Sequence, residues 1–301
     1  MTESAIDLRD LSTSAFKEFV DSFDTLLCDL DLTVWHRVRR PPDLLIPGVL
    51  EVLRKLRQMG KKVIFVTNSS HATREQYLKD LAEAELAEVS SHVVFPVAAV
   101  GQYLHRTGFK GRVHVVGDDV HREELRSWGL QVDDEIEYPR ARYSYYNIKS
   151  HLKSDPEIKA VVVEFDPNLN YLKLMQAVVL LQNPECLFFS TATEKVLPPI
   201  LNLRLIAIGY FADMIQEASG SSPIETGKPH PFMGELLVKS ESLDIARTIM
   251  VGDSLDQDIG LGIALGMRTW HVPGEHKQPP HPTNKPTYFS PTIGHILPKL
   301  L

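Results

Sequence analysis

Two aspartates separated by one residue, Asp29 and Asp31, close the short apolar run Leu26-Leu27-Cys28. A run this short reads as a buried strand rather than a helix. In an open parallel α/β sheet, ligands bind just outside the carboxyl ends of the strands, which is where both acids would stand. Alone the pair is weak, because acids often follow strands merely as turn residues. A second run, Lys62 to Val66, ends in Thr67-Asn68-Ser69-Ser70. Such a cluster serves equally as a helix cap or, beside a positive helix N-terminus, as a set of phosphate donors. A third run, Thr248 to Val251, leads into Gly252-Asp253-Ser254-Leu255-Asp256-Gln257-Asp258, and Lys228 precedes it in the turn Gly227-Lys228-Pro229. Parallel strands would gather these ends on one sheet edge. Together they would supply a carboxylate nucleophile, a second carboxylate for proton transfer, neutral phosphate donors, a fixed cation, and an acidic site for a hard divalent ion.

The elements that must position these groups alternate strand and helix, the pattern of a parallel sheet. Ser12 or Ser14 caps a first helix through Phe19 and Val20 that delivers the chain to the strand at Leu26. Pro47 fits the first turn of the next helix, whose apolar stripe is Val49, Val52, Leu53 and Leu56, with Gly60 ending it. A helix from Thr73, a strand at Val93 to Phe95 and a helix through Val100 and Leu104 follow. From Arg112 a second series begins: strand Val113 to Val116, helix around Glu123 to Trp128, strand Ala160 to Phe165, helix Tyr171 to Leu181, strand Leu187 to Ser190. It would bury its own core and reads as an inserted domain. The first series resumes at Gly227, with a helix over Phe232 to Glu241, the strand from Thr248, a helix to Leu265, a strand Arg268 to Val272 and a short helix Ile293 to Leu301. The stretch Arg140 to Ser154 has no assignment.

The 301 residues are enough for two domains, and 43% hydrophobic with 24% charged residues is ordinary for a globular chain. A formal net charge of −7 disfavours nucleic-acid and anionic-membrane partners. The only cysteines, Cys28 and Cys186, both lie in or near apolar runs, so two free thiols in a reducing compartment are expected. Met1 to Asp10 lacks an apolar signal core, and no apolar run reaches the ~20 residues that span a bilayer. A cytoplasmic location is therefore expected. The bland reading of Arg37, Arg39 and Arg40, on a flap ending at Pro41-Pro42, is a solvated surface. Residues 273–286 read as a Pro- and His-rich surface loop. The prolines separate His271, His276 and His281, which argues against a shared metal.

Four ordered signatures can now be set side by side: Asp29-Leu30-Asp31-x-Thr33, Thr67-Asn68-Ser69, Gly227-Lys228-Pro229, and Gly252-Asp253 with Asp258. With Trp35, Ile46-Pro47-Gly48 and Arg74-x-x-Tyr77, they closely resemble the haloacid dehalogenase (HAD)-like superfamily. The resemblance is to its phosphatases with a C2-type cap, the 4-nitrophenylphosphatase, phosphoglycolate phosphatase and pyridoxal phosphate phosphatase group. It implies a Rossmann-like parallel-sheet core over residues 1–95 and 223–301, with an inserted α/β cap over 96–222. It further implies a Mg²⁺-dependent phosphomonoester hydrolase working through an aspartyl-phosphate. The substrate would be a small phosphorylated metabolite such as 2-phosphoglycolate or pyridoxal 5'-phosphate, with 4-nitrophenyl phosphate turned over in vitro.

The resemblance assigns roles to particular residues. Asp29 is the nucleophile and Asp31 the general acid and base. Thr67, Asn68, Ser69 and Lys228 bind the phosphoryl oxygens. Asp29, the Asp31 backbone carbonyl and Asp253 ligate Mg²⁺, and Asp258 positions Lys228 or the metal waters. Caps of this type often mediate a homodimer. Departures stand at Leu32, where the family usually has Gly, at Ser69, Ser254 and Gln257, and at Ile206 to Phe211, which replaces a Gly-rich stretch before the late cap helix. The competing expectation is a non-catalytic HAD-fold relative that binds a phosphometabolite or a protein partner. A dehalogenase does not need the acid at Asp31.

Overall fold

The computed structural model describes residues 5–36, 44–134, 138, 143–144, 146–197, 203–274 and 281–301. The basic flap at Arg37 to Arg40, Pro41-Pro42, His276 and parts of the segments 140–154 and 273–286 lie outside the described residues. The chain runs β1 (Ile6–Asp7), α1 (Thr13–Asp21), β2 (Thr25–Cys28), α2 (Val49–Gln58), β3 (Lys62–Val66), α3 (Arg74–Glu83) and β4 (Val93–Val94). It continues as α4 (Pro96–Arg106), β5 (Arg112–Val116), α5 (Asp119–Ser127), β6 (Gln131–Val132), β7 (Ile158–Val163), α6 (Tyr171–Leu180), β8 (Leu187–Ser190), α7 (Ile208–Ser219) and β9 (Ile224–Glu225). It finishes as α8 (Phe232–Glu241), β10 (Thr248–Gly252), α9 (Asp258–Ala264), β11 (Arg268–His271), β12 (Tyr288–Phe289) and α10 (Leu297–Leu300).

Two compact units result. The first comprises residues 1–67, 74–95 and 228–301, and the second residues 68–73 and 96–227. The first unit carries a seven-stranded sheet in the order β1-β12-β11-β10-β2-β3-β4, with every pair parallel. Its central strands are apolar on both faces because helices cover both sides. From β2 the chain crosses to β3 on one side, and from β10 it crosses to β11 on the other. The connections that follow β2 and β10 therefore diverge, and this switch point opens the crevice in which such sheets bind ligands. Val251 pairs with Cys28, so Asp29 and Gly252 leave the sheet side by side.

Local chemistry explains the helices that hold these strands. The Ser12 side chain caps α1 by accepting the Ala15 N–H, and Phe16, Phe19 and Val20 form its buried stripe. Helix α2 buries Val49, Val52, Leu53 and Leu56, as its spacing predicts. Pro47 does not open α2: the N-cap is Gly48 at φ +78°, and a Cβ there would sit 3.1 Å from the Gly294 backbone. The close approach of the segment around Gly294 thus decides where the helix starts.

The second unit has its own five-stranded parallel sheet, β6-β5-β7-β8-β9. Its core includes Val161, Val163, Ala177, Phe188, Ala212 and Ile215. Beyond β7, Asp166 forms a buried ion pair with Lys173 at 2.7 Å. Arg122 closes the end of β5 by donating to the Val115 and Gly117 carbonyls, both at 2.8 Å. Strands β1, β6, β9 and β12 were not anticipated, since two residues are too few to show a period. Among the described residues no helix is long and apolar enough to cross a membrane.

Leu53 is fully buried in α2, so Leu53→Ala should lower unfolding stability by about 2–5 kcal/mol through lost burial and the cavity left behind. Urea denaturation followed by circular dichroism checks this; a loss below about 1 kcal/mol would show that the helix repacks.

Candidate active site

Strand β2 delivers Asp29 to the switch point, where its N–H donates to the Val251 carbonyl at 3.0 Å. Lys228 enters from the turn before α8, after which the Lys228–Pro229 peptide bond is cis. Its ammonium is 1% exposed. It donates to Asp29 Oδ1 at 2.7 Å, Asp258 Oδ1 at 2.7 Å and the Val66 carbonyl at 2.9 Å. Two strand ends and the start of α9 thus meet on one cation. Asp258 is held in turn: its Oδ2 accepts the Ser254 N–H at 2.9 Å. Glycine at 252 makes room for it, because a Cβ there would lie 2.2 Å from the Asp258 carboxyl carbon.

Two buried carboxylates share this one ammonium, and the electrostatics follow. Burial raises the Asp29 pKa to about 7, the Asp258 charge adds to the rise, and Lys228 opposes it. Burial works against the Lys228 charge, but Asp258 and Asp29 outweigh it and hold its pKa above the usual lysine value. Burial, followed by the charges of Asp29 and Asp258, also pushes the Cys28 thiol well above its ordinary range. Cys28 is therefore no thiolate nucleophile, although it adjoins the site. Both cysteines are free and buried.

Asp29, Asp253 and Asp258 offer oxygens within 4.8 Å of one another. Asp29 Oδ2 is buried without a hydrogen-bond partner. An orphaned carboxylate oxygen in an all-oxygen donor set suits a hard divalent cation. Both Asp258 oxygens are engaged by Lys228 and the Ser254 N–H, so Asp29 and Asp253 are the better ligands. His271 Nε2 donates to the Asp253 carbonyl at 2.9 Å, which ties the segment carrying Asp253 to the end of β11.

Asp31 stands apart from the buried cluster, in the turn that follows β2. The Leu30 carbonyl accepts from Thr33, Val34 and Trp35 N–H at 3.3, 2.9 and 3.1 Å. Leu32 takes φ +67°, a left-handed conformation that glycine adopts without strain. The Trp35 indole donates to Asp31 Oδ1 at 2.9 Å. Thr67 is buried at the end of β3, its N–H bonded to the Val94 carbonyl at 3.0 Å. Asn68 and Ser69 belong to the second unit. There Asn68 donates to Glu194 Oε1 at 3.2 Å, and Ser69 Oγ lies 2.5 Å from His71 Nδ1. The structure thus assembles Asp29, Lys228, Asp253 and Asp258, and sets Asp31 and Thr67 at the same strand ends, while Asn68 and Ser69 fall in the second unit. Trp35 and His271 had no assigned part in the sequence reading. A donor-only indole four residues after the acid was the signal available for the first.

A family model described as haloacid dehalogenase-like hydrolase matches residues 26–131, and a second, HAD-hydrolase-like, matches residues 225–296. Phosphoglycolate phosphatase 2 of Arabidopsis thaliana is 32% identical over 277 residues, covering 86% of this chain and 85% of the relative. The chain belongs to the haloacid dehalogenase-like hydrolases. Chronophin of Bos taurus is 30% identical over 266 residues, covering 86% of this chain and 84% of its own. The crystal structure of 4-nitrophenylphosphatase from Thermotoga maritima superposes with a TM-score of 0.74 at 21% identity, covering 94% of this chain and 99% of that one. At that identity the likeness speaks for the fold: a parallel core sheet with a separate inserted α/β sheet. With phosphatase relatives along most of its length, this HAD protein is a phosphoric monoester hydrolase.

A metal ion needs the Asp29 carboxylate, whereas the metal-free site holds a proton there up to about pH 7. Divalent-cation binding at pH 6 should therefore release most of a proton, and at pH 8 much less. Titration calorimetry in buffers of different ionisation enthalpy measures this. Equal release at both pH values would contradict the buried-acid account of Asp29.

Proposed function

We propose that the protein is a Mg²⁺-dependent phosphatase of small phosphorylated metabolites, with 2-phosphoglycolate or pyridoxal 5'-phosphate as the substrates of choice, acting through an aspartyl-phosphate. The observation that carries this reading is the buried Lys228 bridging Asp29 and Asp258, beside an Asp29 oxygen with no hydrogen-bond partner. Asp29 attacks phosphorus, and the substrate oxygen leaves with a proton from Asp31. Lys228 and Thr67 hold the phosphoryl oxygens while charge moves among them. Asp258 keeps Lys228 in place and maintains its charge. Asp31 then takes a proton from the water that splits the phosphoaspartate. Asp29, the Asp31 carbonyl and Asp253 would hold Mg²⁺, which when bound supplies positive charge against the meeting of two anions.

In this reading residues 96–222 serve as the cap, which selects the substrate by its leaving group and excludes water. Asn68 and Ser69 add phosphate donors when substrate is bound. A cytoplasmic location agrees with the two free thiols. The cap also carries a homodimer contact: Leu203, Leu205, Ile206, Tyr210 and Met214 are exposed within a short stretch of the second unit, and apolar side chains so grouped favour association. Sedimentation velocity should give a dimer, and Ile206→Glu with Met214→Glu should give a monomer. A monomeric parent protein would remove the dimer from the proposal.

The decisive experiment is turnover of a phosphometabolite panel and of 4-nitrophenyl phosphate by the parent protein and Asp29→Asn. The amide is nearly isosteric but a poor nucleophile, so activity should be abolished with the circular dichroism spectrum retained. EDTA should remove activity and Mg²⁺ restore it, while Ca²⁺, with longer bonds and more ligands, should inhibit. Near-parental turnover by Asp29→Asn, or full activity in EDTA, would refute the proposed mechanism.

A further inference from the structure

A general acid has two oxygens, and only one can face the departing group. In Asp31 one of them is already committed, since Oδ1 accepts the Trp35 indole N–H at 2.9 Å. The indole N–H only donates, so this bond persists whether Asp31 is ionised or neutral. The bond therefore holds the carboxyl group in one orientation in both protonation states. Trp35 is itself immobilised and only 7% exposed. Its N–H bonds to the Leu30 carbonyl at 3.1 Å and its carbonyl accepts the Leu32 N–H at 2.8 Å. Backbone bridges tie it to Asp31 on one side and Leu45 on the other. The positive φ of Leu32 is what bends the chain so that residue 35 returns beside residue 31.

We propose that Trp35 is a positioning residue for proton transfer: its indole clamps Asp31 and fixes the orientation of the carboxyl group that gives and takes the proton. The inference rests on the assignment of Asp31 as general acid and base. In the first half-reaction the Asp29–phosphorus bond forms, the bond from phosphorus to the leaving oxygen breaks, and the Asp31 carboxyl proton passes to that oxygen. In the second, the water oxygen bonds phosphorus, the Asp29–phosphorus bond breaks, and the Asp31 carboxylate accepts the water proton. Trp35 exchanges no proton in either step. Its contribution is that Asp31 does not have to be reoriented between them.

The test compares two substrates of similar shape and different leaving groups, 4-nitrophenyl phosphate and phenyl phosphate, through kcat/KM, which includes leaving-group departure. Trp35→Phe keeps a ring and removes the N–H. It should lower kcat/KM for phenyl phosphate by about 10-fold more than for 4-nitrophenyl phosphate, whose leaving group hardly needs a proton. The Mg²⁺ concentration for half-maximal activity should be unchanged. Should Trp35→Phe fail to fold by circular dichroism, the benzothienyl analogue of tryptophan at position 35 replaces N–H by sulfur in nearly the same shape and decides the matter. Equal losses on both substrates, or a raised Mg²⁺ requirement with both falling together, would mean that Trp35 only supports the turn and would overturn the proposal. Asp31→Asn on the same pair separates the two levels: if it spares neither substrate preferentially, the acid assignment itself falls, whatever Trp35 does.

Discussion

One buried cation holds the site together. Lys228 Nζ joins two carboxylates and a backbone carbonyl from parts of the chain separated by 199, 162 and 30 residues. Two anions around one ammonium leave surplus negative charge in a place with little water, which is costly. The fold offsets part of that cost with the Val66 carbonyl on Lys228 and the Ser254 N–H on Asp258. The remainder persists as the raised proton affinity of Asp29 and as a buried oxygen without a partner. The cluster is therefore built to receive positive charge. Removing Lys228 would strand Asp29 and Asp258 against each other, and breaking a buried pair in this way typically costs about 3–5 kcal/mol.

The two acids of the first signature differ because the backbone changes conformation between them. Asp29 is the last residue still bonded to the neighbouring strand, so it is buried at 5% exposure beside Lys228. Asp31 lies past the strand, in a turn folded around the Leu30 carbonyl, and accepts the Trp35 indole N–H. Two chemically identical side chains are thus placed in unlike surroundings, as the distinct roles proposed for them require. Leu32 bears the strain of that change of direction.

The second unit repeats the architectural logic of the first. In its sheet, β5 leads to β6 on one side and β7 leads to β8 on the other, so it too has a switch point at its strand ends. There the polar groups are turned inward: Asp166 pairs with Lys173, and Arg122 binds the carbonyls that end β5. These bonds close the ends of the strands instead of leaving a nucleophile there. The same topology gathers the Lys228 cluster in one unit and a different set of buried polar groups in the other, where Glu164 Oε2 and Arg122 Nε have no hydrogen-bond partner.

Much of this was legible in the sequence, because strand and helix periods and short motifs are local. The runs at Leu26, Lys62 and Thr248, the stripe of α2 and the inserted α/β series needed no partner to be recognised. The resemblance of four ordered signatures to the HAD superfamily placed the chain in the family that its relatives establish. Sequence could not set the start of α2, which depends on how closely the Gly294 backbone approaches Gly48. It gave no hint of the two-residue strands β1, β6, β9 and β12, which exist only through their neighbours. It named Asp258 as a support for either Lys228 or the metal waters; the tertiary structure turned its Oδ1 to the lysine. The difference is physical. Residue type and spacing determine which chemistry is possible, while partner choice depends on distances between segments far apart in the chain, and only the folded sheet sets those distances.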